Sequence, residues 1–60
     1  MNLEEALLEM CKEQEVQKSS LITLGKLGGY SKQEVKQTIR RLLTQGKLYI
    51  TRREDFLKTT

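Results

Sequence analysis

Apolar residues recur at helical spacing in three parts of the chain, and the first of them predicts a helix over about residues 3–13. Its apolar positions, three or four residues apart, are Leu3, Ala6, Leu7, Met10 and Cys11. Asn2 precedes them as a suitable N-cap, and Glu5 follows three positions later, as in a capping box. We interpret Cys11 as a small core residue rather than a reactive thiol, because it belongs to this apolar side.

A second helix is predicted over about residues 20–27, again from apolar residues at helical spacing. These residues are Leu21, Leu24 and Leu27. Either Ser19 or Ser20 is expected to cap its first turn. The glycine pair at 28–29 is expected to end it, since glycine accepts the left-handed conformation found at helix C-termini. The polar stretch at residues 14–19 is interpreted as a connection.

The third helix has the clearest amphipathic pattern and is predicted to end near Gln45, just before Gly46. Ser31 and Glu34 stand three residues apart in the signature of a capping box. The apolar stripe, at positions i, i+4, i+7 and i+8, consists of Val35, Ile39, Leu42 and Leu43. The opposite side of this helix is rich in cations and amides.

After the third helix the apolar period changes from that of a helix to that of a strand. The alternating residues are Leu48, Tyr49, Ile50 and Thr51. The pattern places Tyr49 opposite Leu48 and Ile50 and predicts that its ring is half exposed. Charged residues at 52–55 interrupt the pattern, and residues 56–60 are expected to return as the second strand of a hairpin.

Three positions around the second and third helices fit a helix-turn-helix unit. Such a unit needs a small residue where the helices touch, a turn glycine, and an apolar residue facing back from the second helix. Gly25, Gly29 and Val35 can fill these roles, and an ordinary helical hairpin is the alternative. With the hairpin that follows, the pattern predicts one α+β domain over residues 1–60. Its fold would be a winged helix-turn-helix, with three helices followed by a C-terminal β-hairpin wing.

Length and composition exclude several classes of protein. A chain of 60 residues cannot easily enclose a catalytic pocket and keep a core. It has no histidine, the commonest general base, and its single cysteine cannot form an internal disulfide. We therefore expect no enzymatic activity, no cofactor and no metal. No apolar run is long enough to span a membrane and no signal peptide is visible, so the expected compartment is the cytoplasm, or the nucleus or nucleoid if the protein is bound to DNA.

Charge is divided unevenly along the chain. The net charge is +3, but residues 1–17 carry a net −4 and residues 18–60 a net +7. Such asymmetry is typical of a chain whose basic part meets a polyanion. The alternative is that surface charges have segregated without a function.

Side chains on the outward side of the third helix and at the hairpin tip are candidates for contacting DNA. A recognition helix enters the major groove, where Lys and Arg bind guanine or phosphate and Gln binds adenine. The helix candidates are Lys32, Gln33, Lys36, Gln37, Arg40 and Arg41. At the hairpin tip, Arg52 and Arg53 could reach a minor groove or a phosphate. Peripheral phosphate contacts are expected from Lys18, Lys26 and Lys47.

Residues 31–60 resemble the winged-helix domains of replication proteins. The strand Gly46-Lys47-Leu48-Tyr49-Ile50-Thr51 and the ending Leu57-Lys58-Thr59-Thr60 are similar to the C-terminal domain of the middle subunit of replication protein A. The third helix of that domain resembles this chain at Ser31, Val35, Lys36 and Gln37. The C-terminal domain of archaeal minichromosome-maintenance helicases is similar at Gly46-Lys47-Leu48-Tyr49 and at the later pair Leu57-Lys58. The replication protein A module binds proteins and has an acidic wing, whereas this chain has Arg52 and Arg53 there, so the resemblance leaves DNA and protein both open as partners.

The favoured hypothesis is a module that binds duplex DNA in transcription control or replication, through the third helix and the wing. The alternative is a protein-interaction module of a replication or repair complex that uses Tyr49, Phe56 and Leu57. Since Phe56 and Leu57 are adjacent, one of them must face outward in a regular strand. A homodimer is a further possibility, because one copy of this size covers little DNA.

Overall fold

Three helices and three short strands follow one another in the computed structural model, which describes residues 2–51 and 55–60. In chain order the elements are α1 (Leu3–Met10), β1 (Val16–Gln17), α2 (Lys18–Leu27), α3 (Lys32–Thr44), β2 (Leu48–Ile50) and β3 (Phe56–Thr59). The strands form one antiparallel sheet in the order β1-β3-β2. The three helices and the hairpin are therefore present in a small α+β domain. No helix within the described ranges has the length and apolar character needed to cross a membrane.

Side-chain caps fix where α1 and α3 begin. The Glu5 N–H donates to Asn2 Oδ1 over 2.8 Å at the start of α1. At α3 the Glu34 N–H donates to Ser31 Oγ (3.1 Å), and Glu34 Oε1 accepts in return from the Ser31 N–H (3.2 Å), which confirms the predicted capping box. The end of α1 differs from the prediction, because this helix stops at Met10 and not at residue 13.

The polar stretch predicted as a connection contains a strand. Val16 of β1 lies opposite Leu57 and Gln17 lies opposite Phe56, so β3 is the central strand of the sheet. Two residues are too few to show an alternating pattern, which is why β1 was not predicted from the sequence. Because β1 leads directly into α2, this helix begins at Lys18, and its N-cap Gln17 makes no side-chain cap hydrogen bond. The predicted caps, Ser19 and Ser20, instead lie inside the helix.

One face of the sheet closes the core, and Leu48 and Leu57 are buried there. Ile50 lies opposite Leu57 and so points to the same face, but 60% of its surface is exposed. The alternation thus places Ile50 on the face of Leu48, but Ile50 is the last residue of an edge strand, with a neighbouring strand on one side only. Tyr49 is 44% exposed, as predicted, and of the two adjacent residues of β3 it is Leu57 that faces inward.

The core joins all three helices to the sheet. It consists of Leu7, Cys11, Leu21, Val35, Ile39, Leu42, Leu48 and Leu57. Thr38 is also buried, and its hydroxyl donates to the Glu34 carbonyl over 2.8 Å, so this polar group has a partner. The predicted stripe of α2 is only partly correct, because Leu24 and Leu27 are exposed. The helix turns Leu21 and Gly25 inward instead.

The junction of α2 and α3 confirms the roles expected for the two glycines and Val35. Gly25 is buried, and a Cβ at this position would overlap the Cγ2 methyl of Val35. Gly29 has a φ of +94°, in the region that favours glycine. The Tyr30 N–H donates to the Gly25 carbonyl over 2.9 Å, and the ring packs against the core. The absence of a side chain at Gly25 therefore sets how closely α3 approaches α2.

The buried Cys11 should make the folded protein less stable in alkali. Burial raises the pKa of the Cys11 thiol above its usual value near 9, and the positive charge of Lys58 offsets part of the rise. Because the folded state then holds this proton more tightly than the unfolded chain, its contribution to stability is present below about pH 9 and is lost above it. Thermal unfolding from pH 7 to 11 checks this: the melting temperature should fall more steeply in the native protein than in Cys11→Ala. Parallel curves would contradict it.

Candidate functional site

The solvent side of α3 presents five exposed polar side chains over its first three turns. They are Lys32, Gln33, Lys36, Gln37 and Arg40, and we call this set the α3 basic face. The opposite side of the helix is held in the core by Val35, Thr38, Ile39 and Leu42. The buried side therefore fixes the orientation of the helix, and the candidates predicted from the helical period are exposed together.

The cations of the α3 basic face are not neutralised by acids in the part of the chain that the structure describes. Across residues 2–51 and 55–60 no ion pair includes Lys32, Lys36 or Arg40. Glu34, the only acid on α3, turns its carboxylate back to the Ser31 N–H as part of the capping box. The positive charge of this face is thus available to an external anion.

Arg41 lies apart from the other candidates. Its Nη1 donates to Glu4 Oε1 of α1 over 2.9 Å, and 58% of the Arg41 side chain is exposed. Both residues border an open groove of about 480 Å³ that also includes Glu34 and Tyr30. Because this groove contains two carboxylates, it suits a polyanion less well than the α3 basic face does. Arg41 therefore differs from the other cationic candidates of α3 in being paired with an acid, although Gln37 borders the same groove.

A second groove extends the α3 basic face toward α2. Lys18, Lys32 and Lys36 line this open groove of about 310 Å³, with Gln17, Ser19, Ile22 and Asp55. Lys18 is the first residue of α2, at the end of the helix where the helix dipole also favours an anion. Lys18 was predicted as a peripheral contact, but β1 places the start of α2 beside α3. The sequence does not predict this arrangement, because β1 has only two residues and shows no alternating pattern.

The described end of the β2–β3 turn also borders this groove. Asp55 has a φ of +66°, a conformation that Asp adopts more readily than most residues. Its carbonyl accepts a hydrogen bond from the Lys18 N–H over 2.7 Å, which joins Asp55 to the start of α2. The predicted wing residues, Arg52 and Arg53, lie outside the described residues, so their role stays a prediction from the sequence.

The other described lysines lie away from this groove. Lys47 follows α3 and lines a different groove together with Lys12, Leu8 and Thr60. Lys26 lies in the last turn of α2. Neither lines the groove that joins α2 to α3. Among the described residues, three lysines therefore line the groove where Lys18 meets the start of α3, and Lys12 and Lys47 line a second one.

The chemistry available at this surface is that of binding. Ammonium and guanidinium groups neutralise phosphates, and the amides of Gln33 and Gln37 both donate and accept hydrogen bonds. Among the described residues there is no group of three His, Cys, Asp or Glu side chains that could hold a metal ion. No protein-family model matches the chain, and comparisons with curated proteins and with solved structures also find no match.

Proposed function

We propose that this chain is a winged helix-turn-helix module that binds duplex DNA through the α3 basic face. The observation that carries the proposal is the exposed stripe of cations and amides on a helix whose other side is buried. Its members recur every four residues, at 32, 36 and 40 and at 33 and 37, and so lie along one side of the helix. The element order and the β1-β3-β2 sheet support the fold assignment.

The dimensions of α3 suit the major groove. Its 13 residues extend about 20 Å at 1.5 Å per residue. An α-helix with its side chains is about 10–12 Å across, close to the width of the major groove of about 12 Å. In this arrangement Gln33 and Gln37 would reach base edges, while Lys36 and Arg40 would bind guanine or phosphate. Binding of this kind serves transcription control or replication.

The groove beside α3 supplies a place for the DNA backbone. Lys18 and Lys32 line it from two helices, so a phosphate there would meet positive charge from both. Asp55 borders the same groove, and its carboxylate would oppose an anion there, so binding at this place needs the three lysines of the groove to outweigh it. Arg52 and Arg53 are proposed to contact the backbone or an adjacent minor groove.

The salt dependence of binding to labelled duplex DNA tests the proposal. If about five phosphates are contacted, log K should fall with log salt with a slope of roughly −4 to −5. Fluorescence anisotropy at four or more salt concentrations measures this slope. Absence of binding at 50 mM salt, or an affinity that does not change with salt, would contradict the proposal.

A protein partner at the hairpin is the second candidate function. Tyr49 and Ile50 are exposed, which favours it. However, these two residues point to opposite faces of the sheet, and Leu57, which the sequence suggested as a contact, lies in the core. A complex formed this way would persist at high salt and would depend on Tyr49 rather than on Lys36.

A further inference from the structure

The most outward positions in the first two turns of α3 carry amides rather than lysines. At about 100° per residue, Gln33 and Gln37 lie within roughly 30° of the direction that points away from the buried side of the helix. Lys36 is turned from that direction by roughly 70° and Lys32 by roughly 110°. On the proposed function, from which this inference starts, the two amides therefore face the base edges at the floor of the major groove. We propose that Gln33 and Gln37 make the protein selective for duplex sites that contain adenine.

The lysines at the side of α3 are placed for the DNA backbone instead. Lys32 and Lys36 line the groove that α3 shares with the start of α2. A phosphate contact of this kind holds the protein on any sequence, whereas contacts to base edges distinguish one sequence from another. Selectivity must therefore come from the middle of the α3 basic face, where Gln33 and Gln37 are joined by Arg40.

The other side of α3 is less suited to phosphate, and this difference fixes how the helix is seated. Glu34 and the Glu4–Arg41 ion pair border the groove on that side, next to Gln37. Carboxylates repel phosphates, so the backbone contacts fall on the lysine side. Because α3 is then held from one side, each amide meets the same base pair in every complex, which base selection requires.

The two carboxamides match the hydrogen-bonding pattern of adenine. Among residues 2–51 and 55–60, no hydrogen bond within the chain engages the side chain of Gln33 or Gln37. A carboxamide donates through its NH2 group and accepts through its oxygen, while adenine accepts at N7 and donates at N6, so two hydrogen bonds form together. Guanine presents two acceptors, N7 and O6, which would leave the amide oxygen without a donor.

The spacing of the two amides sets the spacing of the adenines. Gln33 and Gln37 are four residues apart, which is about 6 Å along the helix axis. Stacked base pairs are about 3.4 Å apart, so this distance corresponds to about two base-pair steps. We therefore expect the preferred site to contain two A·T pairs within about three base pairs.

Selection from a pool of duplexes with a randomised centre, followed by anisotropy titrations of the preferred duplex, tests this inference. Gln33→Ala and Gln37→Ala should each reduce the preference for A·T over G·C by about tenfold, and at a different base pair, as expected for one bidentate contact each. Their binding to an unrelated duplex and their salt slope should not change, because neither variant removes a charge. Both side chains are exposed, so both variants should keep the fold.

A modified base makes the test specific to the proposed contact. Replacing the adenine that Gln37 binds with 7-deazaadenine removes only the N7 acceptor. This duplex should bind the native protein about fivefold more weakly, and should bind Gln37→Ala as well as the unmodified duplex does.

Gln45→Ala is the matched control, because it removes the same amide from the exposed C-cap of α3, about 110° from the middle of the α3 basic face. It should keep the full preference for A·T. Binding without enrichment of any sequence, or a preference that Gln33→Ala and Gln37→Ala both retain, would overturn this inference and leave the proposed DNA binding standing. Absence of binding to every duplex at 50 mM salt would overturn both.

Discussion

Replacing Lys36 and Arg40 together with alanine should weaken binding to duplex DNA by roughly 100-fold. Both side chains are exposed, and no ion pair within the described residues includes either. Each would lose a charged hydrogen bond to phosphate or base, and at the lower value of about 1.5 kcal/mol each, with about 1.4 kcal/mol per tenfold in affinity, the two together give about 100-fold. The salt slope should also become shallower by about 2, since two fewer phosphates are neutralised. Anisotropy titrations at several salt concentrations measure both effects.

The double variant Lys12→Ala, Lys47→Ala is the control for this experiment. It also removes two positive charges, but these lie in the separate groove near Thr60. If binding depends on the α3 basic face, the affinity of this control for duplex DNA should fall by less than about fivefold, because only the net charge has changed. Equal losses in the two double variants would show that binding follows net charge and not this surface, and the proposed interface would then be wrong.

Replacing Gly25 with alanine should destabilise the fold, although alanine is the better helix former. The added methyl would overlap Val35 Cγ2, and neither partner can move away, since Val35 is a buried, branched side chain. Overpacking of this kind costs about 1–3 kcal/mol, while the gain in helix propensity is about 0.5–1 kcal/mol. We therefore expect a net loss of about 1–2 kcal/mol and a fall in melting temperature of roughly 5–15 °C.

Two further variants make this prediction specific. Gly28→Ala should have little effect, because a Cβ there meets its nearest neighbours at ordinary contact distances of 3.5–3.7 Å. In a Val35→Ala background, which opens a cavity beside Gly25, Gly25→Ala should be neutral or stabilising, since the new methyl fills part of the space. If Gly25→Ala destabilised both backgrounds equally, the contact between Gly25 and Val35 would not be the cause.

The sequence predicted the elements whose pattern is local and repeated. The third helix was placed to within a residue, because its capping box and apolar stripe agree. The contact between Gly25 and Val35 was also predicted, because a helix-turn-helix unit needs a small residue where its helices touch and an apolar residue that faces it. The two-residue strand β1 was missed, because its formation depends on β3, about 40 residues later.

The site was predicted less completely, for a related reason. Helical periodicity identified which residues of α3 face outward, but it could not show which cations would be paired. The Glu4–Arg41 ion pair joins α1 to α3 across 37 residues, and no local pattern signals it. Equally, the Leu24 and Leu27 spacing was interpreted as a core stripe, because periodicity does not distinguish a face covered by the same chain from one left exposed.

The position of β3 has a consequence for the order in which the domain folds. Within residues 2–51 and 55–60 the central strand of the sheet comes last in chain order, and β1 and β2 each pair with it and not with each other. The helices can form from contacts nearby in sequence, whereas the β1–β3 pairing must close a loop of about 40 residues. During synthesis on a ribosome, the sheet therefore cannot assemble until residues 56–59 have left the exit tunnel. Until then only contacts among the helices and β2 are available to the emerging chain.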